Sequence, residues 1–251
     1  MTNKLQRFVG WLTNSGLKVN ESKTELCLFH RKDQHPVQII LNERILISKR
    51  HMNVLGVSFD SKLNWQTQIE QTIAKSKKAL QALWIIKRYF NKIELLQLIT
   101  SNYYSILYYN SEIWQIPSNC YNSKRNLFSA SATALKICTP SYDLNMSYQT
   151  LHEINKRATP AQIMNYKLSI QLFKTYNSES NTCEWLSLFF NQNFSPRCEY
   201  VNFFDLSTYK LGKNYLPNRF SILNGKIKYD WLNLSLNSFK IKCKSELLKI
   251  I

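Results

Sequence analysis

Residues 54–69 read VLGVSFDSKLNWQTQI, and the character of the chain changes inside this stretch. Positions 54–59 form a short run of β-formers, which predicts a strand. From Trp65 onward the apolar residues follow a different period. Ile69, Ile73, Leu80, Leu83 and Trp84 recur at helical spacing, one face of a helix that reaches about residue 90. Lys75, Lys77, Lys78, Lys87 and Arg88 lie mostly off that face. The expected fold class is therefore α+β, with a strand region followed by a mainly α-helical remainder.

The upstream sequence extends the strand region. Residues 37–41 and 45–47 are apolar runs around Asn42-Glu43, which predicts a β-hairpin whose turn lacks the usual second-position glycine. Leu26, Leu28 and His30 alternate with Cys27 and Phe29, predicting a strand buried on both faces. Leu5, Phe8, Val9 and Leu12 have helical spacing, and Gly16 follows as a C-cap. Downstream, Asn91 with Glu94 three residues later forms a capping box. The helix it opens carries Leu95, Leu98, Ile99, Tyr103, Ile106 and Leu107. Residues 124–138 suit a third helix, stopped before Pro140. Thr159-Pro160-Ala161-Gln162 is a helix start, with Thr as N-cap, Pro in the first turn and Gln reaching back. Its helix bears Ile163, Met164, Leu168, Leu172 and Phe173. A polar linker is expected over 177–200. From residue 209 short strands or turns precede a helix beginning near Asn237. These readings divide the chain at 1–62, 63–116, 117–176 and 177–251.

Composition narrows the chemistry. The chain has 251 residues, 44% of them hydrophobic, and only five glycines. It contains neither GxxxxGK[ST] nor GxGxxG, so a glycine-built phosphate loop is not expected. Its six cysteines form no CxxC, and the four histidines do not cluster with them, which argues against a zinc site. No apolar run reaches the roughly 18 residues of a membrane span, and the N-terminus shows no signal-peptide core. A soluble intracellular protein is expected, with nucleus or cytoplasm left open. The net charge of +17 favours polyanionic partners, because neutralising phosphates releases counterions. A/T-rich coding would also produce this Lys-, Asn-, Ile- and Tyr-rich composition. The distribution favours binding: residues 210–251 hold nine basic and two acidic side chains, whereas 101–200 hold eight and six.

Three motifs, in order, resemble the jockey-like non-LTR retrotransposon reverse transcriptases. In WLTNSGLKVNESKTELCLF, Gly16, Leu17, Asn20, Lys23 and Thr24 match a GL-x-x-N-x-x-KT element. In VLGVSFDSKLNWQTQI, Leu55, Gly56, Asp60, Leu63 and Trp65 match LG-x-x-x-D-x-x-L-x-W. In YYSILYYNSEIW, Leu107, Tyr108, Ser111 and Trp114 resemble LYGSE-x-W with one residue more between Tyr108 and Ser111, Tyr109-Asn110 standing where the family favours Tyr-Gly. Residues 124–251 resemble, more loosely, the family's C-terminal extension, and no function is transferred from them.

The resemblance implies the end of a polymerase palm, a helical thumb and a C-terminal extension. In the family, aspartates including an adjacent pair in (F/Y)xDD hold two Mg²⁺ ions that stabilise the attacking and leaving oxygens. No two acidic residues are adjacent in this chain. By resemblance that turn would precede residue 1, as would the fingers, most of the palm and the endonuclease domain. The chain is thus expected to carry no catalytic residue and no cofactor of its own, Mg²⁺ belonging to the intact family enzyme. Lys23 matches the palm lysine placed near departing pyrophosphate, and otherwise reads as an exposed turn residue. Leu55 to Asp60, with Leu55, Gly56 and Asp60 as the matched positions, resemble the primer-grip hairpin, and otherwise read as a core strand in which Gly56 allows close backbone approach, with Asp60 as an alternative cap of the following helix. Two basic patches are candidate phosphate contacts: Lys75, Lys77, Lys78, Lys87 and Arg88, and Lys226, Lys228, Lys240, Lys242 and Lys244. Trp65, Trp84 and Trp114 are either base-stacking or core residues. No spacing makes a nuclease cluster of His51, His152, Glu153 and Asp205. The expected partner is RNA, DNA or RNA–DNA hybrid, without sequence preference. The alternatives are a non-functional retroelement remnant and a host-adopted protein-interaction module. Purified chain is expected to extend no primed RNA template above a no-protein control; extension would overturn this reading.

Overall fold

The Gly16 C-cap closes the first helix, α1 (Thr2–Asn14). Gly16 takes a φ of 76°. Its N–H and that of Leu17 donate to the carbonyls of Thr13 and Leu12, at 3.0 and 2.9 Å, the two bonds of a Schellman motif. The computed structural model describes residues 2–29, 36–42, 44–114, 121–139, 146–177 and 226–248. The chain divides into two units, Met1–Thr67 and Gln68–Ile251.

In the first unit, β1 (Gln38–Leu41) and β2 (Arg44–Ile47) form the expected hairpin, with Asn42 at a φ of 51°. Ile39, Leu41 and Leu46 are buried, and Leu5 and Val9 of α1 pack against them. Side chains alternate across a strand, so Ile40, Ile45 and Ile47 point the other way. All three are exposed, and Ile40 faces Ile45 directly across the pair.

Two expectations for the strand region need correction. The strand over 54–59 is a second hairpin, β3 (His51–Val54) and β4 (Val57–Asp60). Leu55 and Gly56 form its two-residue loop, with φ of 48° and 79°. Two positive φ values mark a primed turn, whose twist matches the flanking strands. Leucine in that conformation costs about 1–2 kcal/mol, which hides the turn from a reading by propensity. The second correction concerns the strand expected from Leu26 through Phe29. Only one parallel bridge forms, Cys27 with Lys49, and Leu26, Cys27 and Leu28 are half-buried. A strand buried on both faces needs a sheet to join; this segment bridges only Lys49 of the β2–β3 connection, while Leu26 packs on the first hairpin and Phe29 lies edge-on to Phe59. His30 lies outside the described residues.

Asp60 ends β4 and organises the turn into the next helix. Its carboxylate accepts N–H bonds from Lys62 and Asn64, both at 3.0 Å, and from Trp65 at 2.8 Å. These bonds hold Leu63 and Trp65 at φ of 52° and 62°. Each such residue costs about 1–2 kcal/mol, and each bond to a charged acceptor returns about 1.5–3 kcal/mol. The balance favours the turn. Trp65 is buried and packs edge-on to Phe59, ring centroids 5.2 Å apart.

Helix α2 (Gln66–Ile86) comes next. Its buried face differs from the expected stripe. Gln68, Ile69, Thr72, Ser76 and Leu83 are buried, Ile73 and Leu80 are half-buried, and Trp84 is exposed. The capping box at Asn91 forms as expected: Asn91 Oδ1 accepts from Ile93 and Glu94 N–H, and Glu94 accepts from Asn91 N–H at 2.8 Å. The helix it opens is α3 (Lys92–Leu98), which widens into a π-helix (Ile99–Tyr104) and ends as α4 (Ser105–Leu107). Three tyrosines from this segment reach α5 (Tyr121–Lys136). Tyr103 and Tyr104 donate to the carbonyls of Ala130 and Ser131, and Tyr108 donates to the Ser131 hydroxyl at 2.8 Å. The small residues Ala130, Ser131, Ala132 and Ala134 permit that approach.

Helix α6 (Tyr148–Ile154), capped by Ser147, is not apparent in the sequence. Helix α7 (Pro160–Tyr176) has the expected Thr159–Gln162 capping box. Its Leu168, Leu172 and Phe173 share a core with Ile227, Trp231 of α8 (Tyr229–Leu232), and Phe239 of α9 (Leu236–Cys243). Helix α9 is the one expected near Asn237. The expected linker beyond Asn177, and the tail up to residue 225, lie outside the described residues. No strand occurs after Asp60 among the described residues.

The uncovered Ile40–Ile45–Ile47 face gives the first unit little apolar burial. Amide exchange is expected to be faster over described residues 20–60 than over 65–114; equal protection would contradict this.

Candidate nucleic-acid interface

Asn20 nucleates the turn that presents Lys23. Its side-chain oxygen accepts from Ser22 Oγ at 2.7 Å and from Lys23 N–H at 3.1 Å, and its carbonyl accepts from Thr24 Oγ1 at 2.8 Å. Lys23 is exposed on that turn. The Leu55-Gly56 loop is a protruding tip, with Leu55 85% exposed. Asp60 is buried, and its oxygens are engaged by backbone N–H groups, a capping role. Of the expected grip residues, two form a tip and the third forms the turn.

The third motif builds core. Tyr108, Ser111 and Trp114 are buried, and Trp114 Nε1 donates to the Tyr109 carbonyl at 2.8 Å. Asn110 takes a φ of 48° where the resembled family favours glycine. Asparagine is among the few residues that enter this region readily. Lys167 is drawn inward here: it donates to the Tyr108 carbonyl and lies 3.8 Å from Glu112. Burial lowers its pKa, and Glu112 opposes that shift.

The α2 cations do not share one face. At about 100° per residue, Lys75 and Lys78 are neighbours, whereas Lys77 lies about 100° from Lys78. Lys75, Lys77 and Lys78 are all exposed. Lys77 lines a groove of about 560 Å³ with Glu70, Tyr103, Asn126, Ser129 and Thr133. Lys87 Nζ sits 3.7 Å from the centre of the Trp84 ring, and the Arg88 guanidinium 4.8 Å from that of Tyr89. Trp65 and Trp114 are core residues, and Trp84 is a surface residue.

In the tail, Lys226, Lys242 and Lys244 are exposed, and Lys228 and Lys240 are half-buried. Lys226 and Lys228 flank the buried Ile227. Lys240 and Lys244 are one turn apart, with Lys242 turned away from them. The two expected patches are thus smaller groups of cations. The sequence also holds a signal outside its apolar pattern: residues 71–93 hold six cations and no acid, Lys92 being the sixth.

His152 and Glu153 are not a catalytic pair. Glu153 accepts from Gln149 Nε2 at 3.0 Å on the surface. His152 is buried beside Phe128, its Nδ1 3.3 Å from the Arg157 carbonyl. Asp205 lies outside the described residues. Among the described residues no group of three His, Cys, Asp or Glu side chains is placed to hold a metal ion. None of the described helices is long and apolar enough to cross a membrane. No family model, curated protein or solved structure matches this chain.

Burial pulls the His152 pKa below its ordinary 6.5, against bonds to the Arg157 and Ala158 backbone that raise it. The folded protein therefore holds this imidazole neutral, while the unfolded chain takes up the proton first. That contribution to stability is complete above the ordinary value and is lost as pH falls through the folded-state value. The thermal midpoint is expected to fall between about pH 7.5 and about pH 5, and His152→Phe to remove part of that slope. An unchanged slope in a folded variant would contradict the assignment.

Proposed function

We propose that this chain binds nucleic acid without sequence preference, as the palm end and thumb of a protein resembling non-LTR reverse transcriptases, and does not itself polymerise. The observation that carries the reading is backbone conformation at the motif positions. Gly16, Gly56 and Asn110 stand where the resembled family has glycine, and all three have φ between 48° and 79°. Each motif thus contains the left-handed residue that its glycine would serve. Charge is the second support: Lys75 and Lys78 are exposed, and among the described residues neither is in an ion pair. Phosphate contacts supply affinity without reading bases.

The uncovered Ile40–Ile45–Ile47 face favours a second reading, a protein-interaction module. The two separate by salt. Phosphate binding weakens with a log–log slope of about −0.9 per contact on duplex DNA. With five contacts, fourfold more salt lowers affinity about 500-fold. Lys75→Ala and Lys78→Ala are each expected to flatten the slope by about 0.9, and Lys77→Ala, exposed but on the groove side about 100° from Lys78, to flatten it less. Titration of duplex and of RNA–DNA hybrid across salt concentrations checks this. Absence of binding at low salt would leave the protein-interaction reading.

A further inference from the structure

The corner between α2 and α3 exposes more ring and aliphatic surface than its surroundings explain. Trp84, Ile85, Tyr89 and Ile93 are 52%, 73%, 69% and 70% exposed within ten residues. An isolated exposed leucine or isoleucine is ordinary, but a cluster of large apolar side chains marks a contact surface. Two of the four are aromatic, and each carries a cation. Lys87 lies over Trp84, and Arg88 over Tyr89, with an Arg88 Nη2 bond to the Tyr89 hydroxyl at 2.7 Å. Lys92, exposed as well, follows them in the first turn of α3. The absence of any acid from 71 to 93 makes this a wholly cationic stretch.

We infer that the α2–α3 corner binds single-stranded nucleic acid, with unpaired bases stacking on Trp84 and Tyr89 and phosphates meeting Lys87, Arg88 and Lys92. The inference rests on the nucleic-acid reading above and specifies its ligand. Duplex bases are already stacked on one another and offer no ring face to a surface residue. Unpaired bases do, and stacking tolerates any sequence because every base has a π-face. An anionic membrane would also attract the cations and accept Ile85 and Ile93. It fits the rings less well. A cation held on a ring face makes that face polar, unsuited to acyl chains and well placed for a phosphate next to a stacked base. Helical spacing adds a path: Trp84 lies two turns beyond Lys77 on the same side of α2, so the groove wall leads toward the corner.

The test is fluorescence anisotropy of the full chain with a labelled oligothymidylate of about 12 nucleotides, beside a duplex of the same length. The double variant Trp84→Ala/Tyr89→Ala is expected to lose about 5- to 150-fold in single-strand affinity per stacked base, with duplex affinity little changed. Trp84→Phe/Tyr89→Phe, which keeps both rings, is expected to retain most of the binding, and circular dichroism verifies folding of both variants. Equal single-strand affinity in the wild type and the folded alanine variant would overturn the inference while leaving duplex binding, and so the broader reading, intact. Binding to neither oligonucleotide would overturn both. Binding to phosphatidylserine-containing vesicles, lost in the alanine variant and unaccompanied by oligonucleotide binding, would assign the corner to membranes and overturn the inference.

Discussion

The Asp60 carboxylate accepts three backbone N–H bonds from the next five residues of the chain, and the passage from strand to helix depends on that charge. Leu63 and Trp65 are both bulky, and both occupy a backbone region that bulky residues avoid. Side-chain packing does not dictate such a path. A buried carboxylate surrounded by N–H donors does, because its negative charge needs partners once removed from water. The resulting turn buries Trp65 against Phe59 and delivers the chain to the start of α2. A residue that reads from sequence alone as a primer-grip match, the end of a strand or a cap is thus committed to architecture.

A comparable economy of polar groups holds the second unit. The tyrosines at 103, 104 and 108 enter the interior with their hydroxyls satisfied by α5 backbone or by Ser131. Burial raises the pKa of all three phenols, so they remain neutral hydrogen-bond donors. The π-helix contributes to their placement. Its wider turn rephases the helix between Leu98 and Ser105, and Thr100 and Asn102 side chains occupy the Leu96 and Leu98 carbonyls within it.

Legibility from sequence tracks locality. The Gly16 cap and the capping boxes at Asn91 and Thr159 form where expected, because each is a bond between side chain and backbone, or along the backbone, within a few residues. The β1–β2 hairpin is legible from its two apolar runs. The Leu55 turn is not, since leucine gives no turn signal and the loop depends on Gly56 and the pairing of β3 with β4. Short α6 rests on one Ser147 cap and carries too few residues to show a period. The buried face of α2 departs from the apolar stripe for a different reason. Gln68 and Thr72 are buried with their side chains hydrogen-bonded to each other, and Ser76 with its hydroxyl on the Ile73 carbonyl, while the apolar Trp84 near the helix end is exposed. For the candidate interface, the sequence locates the cations but not their directions, and it places Asp60 correctly only among several alternatives.

The functional reading places left-handed backbone positions, exposed cations and exposed rings in one chain, and the Asp60 turn is where the second motif acquires its shape. Amide exchange at Lys62, Asn64 and Trp65 tests that most directly, in the wild type and in Asp60→Ala. Protected amides are expected at all three in the wild type, with simultaneous loss of protection in the variant and stability lowered on the order of 3 kcal/mol. Unprotected amides in the wild type, or protection that survives removal of the carboxylate, would contradict a turn held by Asp60.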